Sequence, residues 1–402
     1  MNPRVVFFTD SFREANGVAL TSREYVRFFR ENDLPLLAIY PGTEFKTSTE
    51  GSVTSLELPP SRFGFGLEHD LGFDLGVLRH SDVVIKAIRE FAPDLIHITG
   101  PGHCGIFGTI LAHRLRIPMA SSWHTNVHEY AGRRTESALG WLPAGIRNAI
   151  GGAAENASLY LTGLYYSIPK MTFAPNPELV EMLHKRTKRP SFVMARGVDT
   201  ARFSPSWRTR NEDDGEFVIG YVGRLSPEKN VRLLGDIQKG LAAAGIAHYR
   251  FLIVGDGGER EWLQRTLKRA ELTGVLRGEQ LSTAYANMDV LLFPSRTDTF
   301  GNVVLEALAS AVPAVVTSAG GPKFIVRAGV TGFIADRPEE FVTAVLDLAR
   351  DPELNQRMRQ AARDHALEQS WASVFQGVYD HYRQVLGPFE RSWGRSPACQ
   401  VT

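Results

Sequence analysis

Residues 294–323, PSRTDTFGNVVLEALASAVPAVVTSAGGPK, decide how the rest of the chain is read. An apolar run at residues 290–293 leads into the stretch and predicts a buried strand. A loop carrying Asp298, Thr299, Phe300 and Gly301 follows. The apolar spacing after Asn302 predicts a helix that carries Glu306 one turn in and stops before Pro313. A second apolar run, residues 314–316, and a small-residue turn, 318–321, complete a strand–loop–helix–strand order. That order is the βαβ unit of a parallel sheet.

The stretch also limits the ligand. The first N–H groups of a helix have no partner within it and carry partial positive charge. The amides of Phe300, Gly301, Asn302 and Val303 are therefore placed to attract an anion. Asp298 and Glu306 flank that place. Carboxylates repel phosphate but accept hydrogen bonds from hydroxyls. One acid for a hexose, one for a ribose and amides for the diphosphate between them describe a nucleotide sugar. A βαβ unit whose acids are only solvated fits the same spacing.

An acid, seven residues and a glutamate within SRTDTFGNVVLEALAS resemble the E-x7-E signature of the retaining glycosyltransferases of the GT4 family. Asp298 stands where that family usually has Glu, one methylene shorter. The wording TDTFGN is most similar to the GDP-mannose-dependent α-mannosyltransferases that act on lipid acceptors. Val222 to Asn230, VGRLSPEKN, resembles V-G-R-L-x-x-x-K-N, whose Arg and Lys bind the diphosphate; here they are Arg224 and Lys229. VGDG at 254–257 and the linker GVDTARF at 197–203 are also similar to family motifs. LTGVLR at 272–277, with Leu276, resembles the segment whose backbone reads the base. Gly17 matches a glycine beside the donor phosphates and acceptor, and His124 matches a histidine lining the donor-sugar site.

The resemblance implies an α/β, GT-B architecture: two Rossmann-like domains with parallel sheets facing a central cleft, and a C-terminal helix crossing back to the first domain. The acceptor-side domain is expected over residues 1–196, completed by about 372–390. The nucleotide-sugar domain is expected over 197–371, with a disordered tail at 391–402. The implied reaction moves a hexosyl group, mannosyl from GDP-mannose, to a lipid or glycan acceptor with retention. His124, Asp298, Arg224 and Lys229 are the expected catalytic residues. Gly17, Arg224, Lys229, Leu276, Asp298, Phe300, Gly301, Asn302, Val303 and Glu306 are the expected donor contacts. A UDP-sugar-dependent glucosyl or GlcNAc transferase remains open, as does a non-catalytic nucleotide-sugar-binding protein. A hydride-transferring Rossmann enzyme is disfavoured by the missing G-x-G-x-x-G fingerprint.

Composition sets outer bounds. With 402 residues the chain is too long for one ordinary core, so two domains are expected. It is 43% apolar and 22% charged, the make-up of a soluble globular protein. A net charge of +1 gives no field that favours nucleic acid. Cys104 and Cys399 offer no disulfide framework, and no apolar run reaches the roughly 18 residues of a spanning helix, so a cytoplasmic location is expected. There is no D-x-D motif. Arg224, Lys229 and the helix start at Gly301 supply the charge a metal would, so no metal and no cofactor are expected. His124 and His128 have metal-ligand spacing but no third ligand at a sensible distance.

Apolar runs in the first domain predict strands at 5–9, 36–40, 53–58, 94–99, 119–122, 170–174 and 191–195. Residues 61–73, rich in Gly and Phe, read as a loop, either framing an acceptor site or covering the core. In the second domain the strands are predicted at 217–221, 249–254, 290–293, 314–316 and 331–333. Trp371, Phe375, Tyr379 and Tyr382 share one face of a final helix. The basic block 185–189, and 139–146 with Trp141 and Leu142, suit a peripheral contact with anionic lipid on the inner membrane face. A solvated helix end and a half-buried helix explain the same residues.

Overall fold

The structure, a computed structural model, describes residues 2–14, 16–60, 65–68, 71–124, 144–211 and 215–387. His128, the anchors Trp141 and Leu142, and the tail 391–402 lie outside these residues. The chain divides into two compact units. Unit 1 takes it up to Met194 and again from Phe375; unit 2 is Ala195–Val374.

Unit 1 is built on an eight-stranded sheet. Its strands are β1 (Val5–Phe8), β2 (Leu36–Pro41), β3 (Lys46–Glu50), β4 (Val53–Leu58), β7 (Leu95–Ile98), β8 (Met119–Ser122), β9 (Met171–Ala174) and β10 (Ser191–Val193). They lie in the order β10-β9-β8-β7-β1-β2-β4-β3. All pairings are parallel except β3 with β4. Central strands read as unbroken apolar runs because helices cover both faces; all four residues of VVFF at β1 are buried. Lys46–Glu50 was not legible as a strand because KTSTE is an exposed edge with no apolar face. The expected loop 61–73 contains a small antiparallel pair, β5 (Phe65–Glu68) and β6 (Leu71–Phe73). A helix of 23 residues, Ala144–Tyr166, runs well past the amphipathic segment read from sequence.

The final helix, Trp371–Leu386, joins unit 1 from Phe375 onward. Phe375 meets Tyr25 edge-on, with ring centres 5.3 Å apart. The Tyr379 hydroxyl donates to the Pro3 carbonyl at 3.1 Å. Phe375, Tyr379 and Tyr382 of the aromatic stripe are thus core of the first unit, while Trp371 falls in the second.

Unit 2 is a six-stranded, all-parallel sheet of β11 (Phe217–Val222), β12 (Tyr249–Val254), β13 (Ala270–Gly274), β14 (Val290–Phe293), β15 (Ala314–Val316) and β16 (Gly332–Ile334). The order is β13-β12-β11-β14-β15-β16. Strand β13 and the short helix Arg260–Thr266 were not foreseen, since both are partly exposed and lack a clear period. At the amino end of β14, Asp289 ties the sheet together. Its carboxylate takes Arg208 and Arg210 at 2.9 Å each and the Val218 amide at 2.8 Å.

Candidate functional site

The strand order of unit 2 reverses at β11. The chain steps from β11 to β12 on one side, while β14 lies on the other. Loops leaving the carboxyl ends of two such strands part, and the crevice between them is where parallel sheets bind ligands. The two loops at that point are the ones the motifs single out. Val222 hands over to Gly223 and Arg224, and Phe293 hands over to residues 294–301.

The first loop is shaped by its neighbour. Gly223 N donates to the Val254 carbonyl at 3.0 Å, and Leu225 N to that of Asp256 at 2.9 Å. The V-G-R and V-G-D-G motifs are therefore two halves of one backbone arrangement. Tyr221 donates to the Arg224 carbonyl at 2.8 Å. The backbone is held, while the Arg224 side chain stays 58% exposed. Lys229 ends a single turn, Pro227–Lys229. Its ammonium donates to both carboxylate oxygens of Asp298, at 2.7 and 2.8 Å, and lies 5.9 Å from the Phe293 ring centre. The structure thus joins Lys229 and Asp298, which the sequence assigned to different parts of the ligand.

The second loop turns on Gly301, which caps the helix Asn302–Ala309 with φ at 102°. That left-handed backbone suits glycine and costs any other residue strain. The Phe300 ring is buried in the core, and half-buried Val303 and Leu276 pack against the same cluster. These side chains hold the loop, which leaves the amides of Gly301, Asn302 and Val303 to open the helix with no upstream carbonyl. The small-residue turn supports it from below. Gly321 N donates to the Asp298 carbonyl at 2.7 Å, and a Cβ at Gly321 would lie only 2.0 Å from the Thr299 oxygen. Glu306, one turn into the helix, accepts the Tyr285 hydroxyl at 2.7 Å. Burial pushes its carboxyl above the ordinary glutamate range, against the Tyr285 hydrogen bond and the Arg202 charge. Tyr285 had no signal in the sequence; it faces Glu306 only through packing.

Gly17 and His124 belong to unit 1. Gly17 opens the helix Gly17–Glu31, which Asn16 caps by accepting from Ala19 N at 2.9 Å. His124 follows the carboxyl end of β8, buried, with Nε2 hydrogen-bonded to Ser122 Oγ at 2.6 Å. At the carboxyl end of β1, Asp10 caps the helix His103–Leu115 through Cys104 N at 2.7 Å. His103 Nδ1 lies 3.4 Å from the same oxygen. Among the described residues Asp10, His103 and Cys104 bring ligand-type atoms within 4.8 Å of one another. The sequence separates Asp10 from the other two by most of the sheet, so no spacing rule finds this group.

Comparison with known proteins covers nearly the whole chain. Residues 205–365 match the family described as glycosyl transferases group 1, and residues 15–202 match glycosyltransferase family 4. A GDP-mannose-dependent alpha-mannosyltransferase of Mycobacterium tuberculosis is 32% identical, over 96% of this chain and 97% of that protein. One of the same description from Corynebacterium glutamicum is 28% identical, over 96% and 90%. The solved sucrose-phosphate synthase of Thermosynechococcus elongatus superposes with a TM-score of 0.71 at 16% identity, covering 95% of this chain and 99% of that one. That likeness shows the fold.

Proposed function

The chain belongs to glycosyltransferase family 4, with its retaining GT-B enzymes, and from that premise we propose that it transfers mannose from GDP-mannose to a lipid or glycan acceptor. The observation that carries the reading is the crevice of unit 2. Arg224, Lys229 and the amides at Gly301 surround the carboxyl ends of β11 and β14, with Glu306 one turn behind them.

The chemical task is to stabilise a departing diphosphate while positive charge develops on the sugar. Arg224 offers a planar fork to phosphate oxygens from an exposed position, where it lies 4.0 Å from the Glu228 carboxylate. Lys229 supplies a point charge. An arriving phosphate competes with Asp298 for that ammonium, so the ion pair holds Lys229 in place until the donor takes it. Asp298 then accepts from a sugar hydroxyl, and Glu306 from the ribose. The helix amides cradle the phosphate. These groups neutralise the leaving group through protein charge, so we read the reaction as metal-independent. The donor's own phosphate deprotonates the acceptor on the face it leaves, which gives retention without a covalent sugar.

A lipid acceptor also has a surface to support it. Among the described residues, Tyr160, Leu161, Leu164 and Ile168 form an apolar strip on and just past the helix Ala144–Tyr166, each more than half exposed. Arg186 runs beside Gly163 on this helix, and Arg189 Nε donates to the Ser167 carbonyl at 3.0 Å. Apolar side chains edged by cations suit an anionic bilayer interface.

A thermal-shift panel with GDP-mannose, UDP-glucose and UDP-GlcNAc, followed by mass spectrometry of lipid extract incubated with each, tests the donor. Ligands that bind the folded state raise its melting temperature. A shift and product with GDP-mannose are expected. Stabilisation and transfer with a UDP-sugar alone would overturn the assignment.

A further inference from the structure

The linker at 197–203 is fastened to the helix that carries Glu306, and one arginine does the fastening. Arg363 is half-buried on the helix Pro352–Leu367. Its Nη1 donates to the Phe203 carbonyl at 2.9 Å and to the Ala309 carbonyl at 2.6 Å, and its Nη2 donates to the Thr200 carbonyl at 3.1 Å. Two of these carbonyls belong to the linker. The third ends the helix Asn302–Ala309, where the last carbonyls have no partner within the helix and the negative end favours a cation. The linker also turns on itself. The Asp199 carboxylate accepts from the amides of Ala201 and Arg202 at 3.1 and 2.9 Å, and Phe203 N donates to the Asp199 carbonyl at 2.9 Å.

What the held backbone sets is the Phe203 ring. The ring is buried and meets Tyr285 edge-on, with centres 5.5 Å apart and planes at 89°. Tyr285 is wholly buried near the end of the helix Gly278–Ala286, and its hydroxyl donates to Glu306 Oε2 at 2.7 Å. A hydrogen bond to one oxygen fixes the turn of a carboxylate about its terminal bond, a torsion that is otherwise soft. With Oε2 taken, Oε1 is the oxygen left for a ribose. The Arg202 guanidinium lies over the Phe203 ring, 5.2 Å from its centre, and its charge favours the ionised form of Glu306.

We propose that Arg363, Phe203 and Tyr285 are positioning residues for the donor ribose. Arg363 pins the linker to the end of the Glu306 helix, the pinned linker sets the Phe203 ring, and Phe203 and Tyr285 together aim the Glu306 carboxylate. This deepens, and rests on, the reading of Glu306 as the ribose contact. Orientation supplied in advance by fixed neighbours lowers the ordering cost of binding. Without the Tyr285 hydroxyl the carboxylate turns freely. Without Arg363 the linker carbonyls lose their donor and the Phe203 ring loses its support. All three residues act through Glu306, so their effect belongs to the ribose hydroxyls and not to the rest of the nucleotide.

The test compares GDP with 2′,3′-dideoxy-GDP, which lacks those hydroxyls, by titration calorimetry on the full chain. The wild type is expected to bind GDP roughly tenfold to a hundredfold more tightly, the scale of a hydrogen bond to a charged acceptor. In Tyr285→Phe, which keeps the ring and its packing, and in Arg363→Met, that preference is expected to fall to about threefold or less, with affinity for the dideoxy nucleotide near that of the wild type. Circular dichroism establishes that each variant is folded. A folded variant of either kind that keeps the wild-type preference, or that weakens both nucleotides alike, overturns the proposal and leaves the ribose reading standing. A wild type that binds the two nucleotides equally takes Glu306 off the ribose, and the proposal falls with it.

Discussion

On the proposed reading, with Glu306 against the ribose, this residue couples a proton to the ligand. Burial holds its carboxyl above the ordinary 4.5. Ribose hydroxyls donate to the ionised form, so donor binding favours losing that proton. Affinity for GDP should therefore rise with pH above 4.5, through the shifted ionisation, and binding should release a proton there. Titration calorimetry in buffers of different ionisation enthalpy measures this, and binding without proton release would take Glu306 off the ribose. The sign for stability is opposite. A raised carboxyl favours folding only while protonated, so Glu306→Gln should melt no lower than the wild type at neutral pH while raising donor KM. Arg224 differs in being exposed, where its 4.0 Å pairing with Glu228 adds little to stability. Arg224→Ala should cost about 2–4 kcal/mol in transition-state stabilisation with an unchanged melting temperature. Steady-state kcat/KM decides it, and an unaltered value would remove Arg224 from the reaction.

One element, the loop 294–301 with its following helix, works because its backbone is held from outside. Gly301 sits at φ 102°, so Gly301→Ala should cost about 1–3 kcal/mol of strain and weaken GDP binding by turning the amides. If a folded variant bound GDP as the wild type does, the amides would not be the anion site. At the opposite end of the sheet Asp289 gathers Arg208, Arg210 and Arg359, the last at 3.6 Å. Removing one partner of a buried ion cluster strands the others. Asp289→Ala should lose about 3–5 kcal/mol in denaturant unfolding without touching the donor site directly. A loss under about 1 kcal/mol would show that the arginines find other partners.

If Arg224, Lys229 and the helix amides carry the leaving-group charge as proposed, transfer should survive EDTA. Loss in EDTA with recovery on adding a divalent ion would refute this. Co-sedimentation with anionic vesicles should depend on salt and on Leu161 and Leu164, with Leu161→Ser/Leu164→Ser binding less at equal activity on a detergent-dispersed acceptor. Wild-type protein that stays in solution at low salt would argue for an acceptor outside the bilayer. No helix among the described residues is long and apolar enough to cross a membrane.

In the sequence by itself, apolar runs marked all strands of the two main sheets except β3 and β13, because strands buried on both faces must be continuous apolar runs. The sequence also marked the βαβ unit at 290–316 and the glycine turns, since left-handed backbone and close approach leave residue types little choice. The sequence was silent on β3, β5, β6 and β13, which are short, polar or partly exposed. Only the tertiary structure decided how side chains meet. Lys229 grips Asp298, Tyr285 covers Glu306, and Asp10 caps a helix that begins far along the chain. Hydrogen bonds link His124 to Ser122, Ser122 to His97, His97 to Tyr382 and Tyr382 to Tyr25, and the Tyr382 side chain takes part only because the final helix belongs to the first unit from Phe375 onward. Such contacts leave no period or spacing to read. They arise where folding removes water and each buried polar atom must find whichever partner the packing brings to it.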